Sequence, residues 1–183
     1  MGKHTSLYYG SEENLFEFVV SFFEEGLKNN MSCVWVVPQS LGVERAKTTL
    51  GERIKDLNLY IEKGQFELLS HEDTYLKGGA FNPDEVLGLL VQKEQDVLKH
   101  GFNGLQVSGD ASWLQTEDWI KFVGYEETMN KIIPQKKIVA LCTFPIQSFD
   151  VSRMFSLSFS HDTCVRRSNG ITDIIKFWDP ARK

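Results

Sequence analysis

"TSLYYGSEENLFEFVVSFFEEGL", residues 5–27, runs from an apolar stretch through a glycine turn into a helical pattern. Leu15, Phe18, Val19, Phe22, Phe23 and Leu27 recur at the spacing of one helix face. The segment therefore reads as a strand, a tight turn and an amphipathic helix. At such a turn a phosphate loop would read G-x-x-x-x-G-K-[ST], its amides and lysine holding phosphates. Here the turn offers Gly10, Ser11, Glu12 and Glu13, with no lysine. Two carboxylates suit the positive end of a helix, and the same carboxylates repel a phosphate. Without the lysine and its neighbouring hydroxyl, phosphate grip and magnesium placement both fail. The turn argues against a conventional ATPase.

Outward from this unit, strand-like runs alternate with helical patterns along the chain. "SCVWVVP" (32–38) reads as a strand buried on both faces and stopped by Pro38. A polar helix near 40–50 precedes "GQFELLS" (64–70), a third strand. "FNPDEV" opens a helix with Asn82 as cap, Pro83 in the first turn and Glu85 placed for a capping box. That helix directs Val86, Leu87, Leu90, Val91, Val97 and Leu98 inward, and Gly101 ends it. "GLQVSGD" (104–110) and "KIVALCTF" (137–144) are strands four and five, around a helix near 115–133. "DVSRMFSL" suggests a short helix, and "NGITDIIKFW" an edge strand. Strands joined by such helices imply right-handed crossovers. The fold class is α/β: three layers, a mostly parallel sheet flanked by helices.

The 183 residues suffice for one domain with a single substantial core. A net charge of -5 argues against a surface built for nucleic acid. Thirteen Phe, five Tyr and four Trp are enough both to pack that core and to line a pocket. Cys33, Cys142 and Cys164 lie far apart with no C-x-x-C pair, so reduced thiols in a cytoplasmic protein are expected. No run approaches the roughly 18 apolar residues of a membrane span, and no signal peptide opens the chain.

Ligands of open α/β sheets bind beyond the carboxyl ends of the strands. That rule singles out Tyr9 to Glu12, Gln39 and Ser40, His71 to Tyr75, Gly109 to Trp113, and Cys142 to Phe144. These offer aromatics, hydroxyls and carboxylates rather than the cations a polyphosphate needs. Asp110 ends a strand where a magnesium-holding aspartate would stand, or it caps the following turn. Trp113 either walls the same cavity or fills the core. In the helix near 115–133, Trp119, Phe122, Val123, Met129 and Ile133 mark the inward face, and Glu126 shares it. An inward carboxylate must find partners or stay protonated. It is a structural hydrogen-bond acceptor or a polar anchor in an apolar pocket, with the Tyr125 hydroxyl beside it. "SHEDTY" (His71, Glu72, Asp73, Tyr75) is thin as a metal site. "HDTC" (His161, Cys164) has no matching second pair for zinc. Cys142 lies in an apolar run that disfavours a thiolate, and no G-x-S-x-G elbow is present.

"HTSLYYGSEENLFEFVVSFFEEGLKNNMSCVWVVP", "ELLSHEDTYLKGGAFNPDEVL", "GLQVSGDASWL", "YEETMN" and "IVALCTF" occur in that order. Together they resemble the MEDS domain, the methanogen and methylotroph sensory domain named from a dichloromethane-responsive repressor. The resemblance covers roughly residues 4 to 165. It implies a RecA/KaiC-like core that lacks the phosphate loop. It also implies a non-enzymatic sensory module, without cofactor, that binds small hydrocarbon derivatives or one-carbon metabolites and regulates a partner. The residues at its motif positions include His4 and Gly109, with a ligand-binding set of Tyr9, Glu12, His71, Tyr75, Asp110, Trp113, Tyr125, Glu126 and Cys142. Residues 1–165 are then the sensory domain and 166–183 a C-terminal extension. A homodimer and a regulatory protein or effector domain are the expected partners, with no nucleic acid or membrane bound by this domain. The chain is expected to be a stand-alone sensor or a piece of a larger regulator. The rival readings are a degenerate KaiC-like nucleotide-binding or ATPase domain using Asp110, and a protein–protein adaptor.

Overall fold

The computed structural model describes residues 2–168 and 171–176. Strand β1 (Lys3–Tyr9) feeds helix α1 (Glu12–Lys28), and β2 (Ser32–Val36) leads to α2 (Val43–Gly51) and α3 (Leu57–Glu62). Then come β3 (Phe66–Leu69), the single turn α4 (His71–Thr74), α5 (Pro83–Lys99) and β4 (Leu105–Asp110). Helix α6 (Trp119–Ile132), β5 (Ile138–Pro145), α7 (Val151–Phe159), β6 (Thr163–Ser168) and β7 (Ile171–Lys176) complete the order.

The seven strands form one sheet in the order β3-β2-β4-β5-β1-β6-β7, parallel throughout except for the β6–β7 pair. Residues alternate between its faces, so each central strand feeds two cores. On one face Leu7, Tyr9 and Trp35 pack with Leu15, Phe16, Val19 and Phe23 of α1. On the other, Tyr8, Val34, Ala140, Cys142 and Phe144 pack with α5, α6 and α7. Each large side chain buried here stabilises the fold by about 1.5–3 kcal/mol. That double burial is why "SCVWV" carries no polar alternation.

Local signals set most helix starts. Ser11 caps α1 by accepting from the Asn14 amide, and Asn82 caps α5 by accepting from Asp84 and Glu85. The expected inward face of α5 is diluted: Val86 and Val97 are buried, whereas Leu87, Leu90, Val91 and Leu98 are half-exposed. Glu94 is buried there too, accepting from the Lys137 amide at 2.9 Å.

Two features differ from the sequence expectation. Helices α3 and α4 and strand β6 were not foreseen, the last because "TCVRRS" has too short an apolar run. It holds its place by pairing with β1 along Thr5–Tyr9. The boundary expected between residues 165 and 166 thus falls inside a strand. The foreseen edge strand is β7, while the rest of "NGITDIIKFW" lies outside the described residues.

Candidate functional site

At the carboxyl end of β1 the place of a phosphate loop is filled by acidic ion pairs. Glu12 meets Arg45 at 2.6 Å and Glu13 meets Arg53 at 2.8 Å. The Arg53 guanidinium holds the Glu13 carboxyl below the usual carboxylate range. Behind this turn, Asp110 Oδ2 accepts from Tyr9 Oη at 2.9 Å and Thr143 Oγ1 at 2.7 Å, while Oδ1 accepts from the Ser112 amide at 2.9 Å. Burial raises the Asp110 carboxyl, against the pull of its Ser112, Thr143 and Tyr9 hydrogen bonds. Burial and then the Asp110 charge raise the Tyr9 phenol. The carboxylate has donors on both oxygens. This is a closed network.

Across the sheet lies an aromatic cluster. Tyr75 stacks on Trp113 with ring centroids 4.9 Å apart, and Phe81, Phe122 and Tyr125 pack edge-on or tilted around them. The strand must carry glycine at 109, because a Cβ there would overlap the Tyr75 hydroxyl. Burial raises the Tyr75 phenol, and the nearby Cys142, Glu126 and Asp110 raise it further. Beside the cluster, between β2–β4 and α5, lies a cavity of about 240 Å³. Val34, Val36, Leu69, Val86, Leu105 and Val107 form its apolar wall, and Tyr75, Tyr125 and the Lys93–Glu67 ion pair complete the lining. It lies against the sheet face and extends to α4, just past the carboxyl end of β3.

A second polar centre lies between β1, β5 and α6. Glu126 is buried as its helix spacing implied, sharing the inward face with Phe122, Tyr125 and Met129. Its polar neighbours include two histidines. Glu126 Oε2 is 3.3 Å from His4 Nε2 and 3.2 Å from His161 Nε2. His4 Nε2 is also 3.3 Å from Cys142 Sγ. The turn after α7 is latched to β1, since Asp162 N donates to His4 O at 2.8 Å and His4 N donates to Asp162 Oδ2 at 3.1 Å. That latch sets His161 against His4, their rings stacked 4.1 Å apart. Burial, aided by His161, lowers His4 to about 4. Burial pushes the Glu126 carboxyl up, but His161 and His4 outweigh it and hold it at about 2. Burial and the Glu126 charge push the Cys142 thiol well up.

The structure thus sorts the expected site residues into separate places. Tyr9 and Asp110 share the closed network; Tyr75, Trp113 and Tyr125 share the aromatic cluster; Glu126 and Cys142 share the second polar centre. Glu12 is tied to Arg45 at the surface, and His71 is buried apart in α4. His161 was read only as half of a weak zinc pattern with Cys164, yet it pairs spatially with His4, Glu126 and Cys142, with Cys164 elsewhere. The signal for His4 was its parity with Tyr8, a histidine pointing inward from an apolar strand; His161 carried none.

The sheet order, the crossovers and the shut phosphate turn define a RecA/KaiC-like α/β protein without a phosphate loop. Solved structures agree on the fold. The KaiC-like protein PH0186 of Pyrococcus horikoshii superposes with a TM-score of 0.63 at 14% identity, covering 94% of this chain and 78% of that one. The flagellar accessory protein FlaH of Methanocaldococcus jannaschii gives 0.56 at 15% identity, covering 96% and 80%. An uncharacterized Pyrococcus horikoshii protein, PH0321, solved with an unknown peptide, gives 0.65 at 11% identity, covering 98% and 85%. No curated protein sequence matches the chain. Residues 3–162 match the profile of MEDS, the methanogen/methylotroph, DcmR sensory domain, and the chain belongs to that family.

Proposed function

We propose that this MEDS domain senses a small organic molecule without catalysing a reaction, taking it into the cavity beneath α5. The observation that carries the reading is the mostly apolar cavity of about 240 Å³, whose lining includes two tyrosines and the Lys93–Glu67 ion pair. Drug-sized ligands occupy roughly 300–1,000 Å³, so this space suits a smaller compound such as a hydrocarbon derivative or one-carbon metabolite. Helix α5 forms one wall and is only partly buried, which makes it the element a ligand would reposition. The acidic turn at Glu12 and Glu13 and the fully engaged Asp110 count against the nucleotide-binding reading. Output would pass through a second copy or an effector. Val151, Phe155 and Phe159 of α7 and Ile171 and Ile175 of β7 are exposed apolar residues on the α7 side of the sheet, suited to self-association. A dimer mass by light scattering supports that face; a monomer mass contradicts it.

The test is a thermal-shift screen of dichloromethane, methanol and methylamine against ATP with magnesium. A ligand at a hundredfold excess over its Kd stabilises the native state by about 2.7 kcal/mol. One organic compound should raise the melting temperature, and Val86→Phe, which fills the cavity, should abolish that rise. A shift with ATP and none with any organic compound would overturn the reading.

A further inference from the structure

His4 from β1, Glu126 from α6, Cys142 from β5 and His161 from the turn after α7 bring four donor atoms within 4.8 Å of one another. The residues are 0%, 1%, 7% and 2% exposed, so water does not serve them. Around a tetrahedral zinc, with bonds of about 2.0–2.3 Å, neighbouring donors stand roughly 3.3–3.6 Å apart. The separations here are 3.3 Å for His4 to Glu126, 3.2 Å for His161 to Glu126 and 3.3 Å for His4 to Cys142.

Hydrogen bonding alone leaves the group unsatisfied. His161 Nδ1 lies 2.7 Å from the Leu157 carbonyl and must donate to it, so in a neutral His161 the Nε2 lone pair faces Glu126 Oε2. Neither that approach nor the one from His4 has hydrogen-bond angles, so Glu126 Oε2 and His161 Nε2 lack a hydrogen-bond partner among the described residues. Two such acceptors held this close in a dry interior need a proton or a metal ion between them. A ring nitrogen bonded to a backbone carbonyl is also the usual support for a metal-binding imidazole. One carboxylate, one thiolate and two neutral imidazoles would balance a dication.

We propose that His4, Glu126, Cys142 and His161 bind one divalent first-row transition-metal ion, of the zinc class, in a closed tetrahedral site. Four protein ligands leave no open position, which marks a structural rather than a catalytic centre. The ion would clamp α6 and the turn after α7 onto β1 and β5. Because Tyr125 adjoins Glu126 and lines the cavity beneath α5, the clamp also fixes part of that lining. The site stands whether or not the sensing proposal does.

The experiment titrates the full chain, first stripped with a chelator, with Zn²⁺ against a chromogenic competitor and with Co²⁺. The wild type should take up one equivalent of Zn²⁺. Its Co²⁺ form should show the intense visible bands of a tetrahedral ion and a sulfur-to-cobalt charge-transfer band. Cys142→Ser should lose the charge-transfer band, and Cys33→Ser and Cys164→Ser should keep it. His161→Gln should weaken Zn²⁺ binding about 100-fold or more, since loss of supporting groups alone costs 10–100-fold. Absence of stoichiometric Zn²⁺ uptake by the wild type would overturn the proposal, independently of how any variant folds. So would a charge-transfer band that survives in Cys142→Ser.

Discussion

The two polar centres of this sheet use similar residues on opposite faces and reach opposite outcomes. On the α1 face, Asp110 receives Tyr9, Thr143 and Ser112, and both its oxygens have donors. On the α6 face, Glu126 faces two imidazoles and its Oε2 has no hydrogen bond among the described residues, although it is equally buried. A buried carboxylate with donors is part of the fold. One that faces two imidazoles with no hydrogen bond can be completed by a cation. Burial and residue type alone therefore do not mark a site; the balance of donors and acceptors does.

The largest expected effect tests the α6 face. If the Glu126 centre holds a metal at about a thousandfold over its Kd, chelation should cost roughly 4 kcal/mol of stability. Urea unfolding with and without chelator should show that drop in the wild type and little of it in Glu126→Gln. Equal chelator responses in the two proteins would erase the contrast between the faces.

Next comes Asp110→Ala, which strands three donors on the α1 face. At about 1–3 kcal/mol for each buried group left unsatisfied, partly relieved by water, a loss near 3 kcal/mol is expected. Its chelator response should match the wild type, because the two centres share no residue. A chelator response that vanishes in Asp110→Ala would mean the faces are coupled.

A smaller effect sharpens the same point through pH. The Asp110 carboxyl is raised above its unfolded value, chiefly by burial. Its stabilising contribution is therefore complete below the unfolded pKa of about 3.9 and is lost as pH rises through the folded value. Asp110→Asn removes that titration. The wild type's stability relative to Asp110→Asn, measured by urea unfolding from acid to neutral pH, should fall as pH rises. A difference that grows with pH would show that the hydrogen bonds, not burial, govern the group.

Much of the fold was legible because each central strand is a continuous apolar run and each long helix has a marked start. Asn82, Pro83 and the inward stripe of α6 were readable in the same way, and the stripe placed Glu126 correctly. Strand β6 was not, because Arg166 and Arg167 break its apolar pattern. In the structure those charges are met by Asp173 and Glu17. The Glu126 centre was only half legible. His4 meets Cys142 because β1 pairs with β5 in the register His4 to Ala140, and His161 arrives only through the latch at Asp162. Strand register and a turn's docking are set by the whole assembly, so no local spacing announces them. The cavity beneath α5 was hidden for a similar reason, since its wall is drawn from three strands and a helix.

The central claim is that a RecA-like sheet without a phosphate loop receives a small organic molecule on its face. Methyl-labelled NMR of the full chain tests it most directly, with dichloromethane, methanol, methylamine or ATP and magnesium added in turn. The account predicts that one organic compound shifts the methyl signals of Val34, Leu69, Val86 and Leu105 in a saturable way, while ATP moves none of them. Saturable shifts from ATP at Leu7 and Leu15, beside the turn that starts α1, with the cavity methyls unmoved by every organic compound, would contradict it.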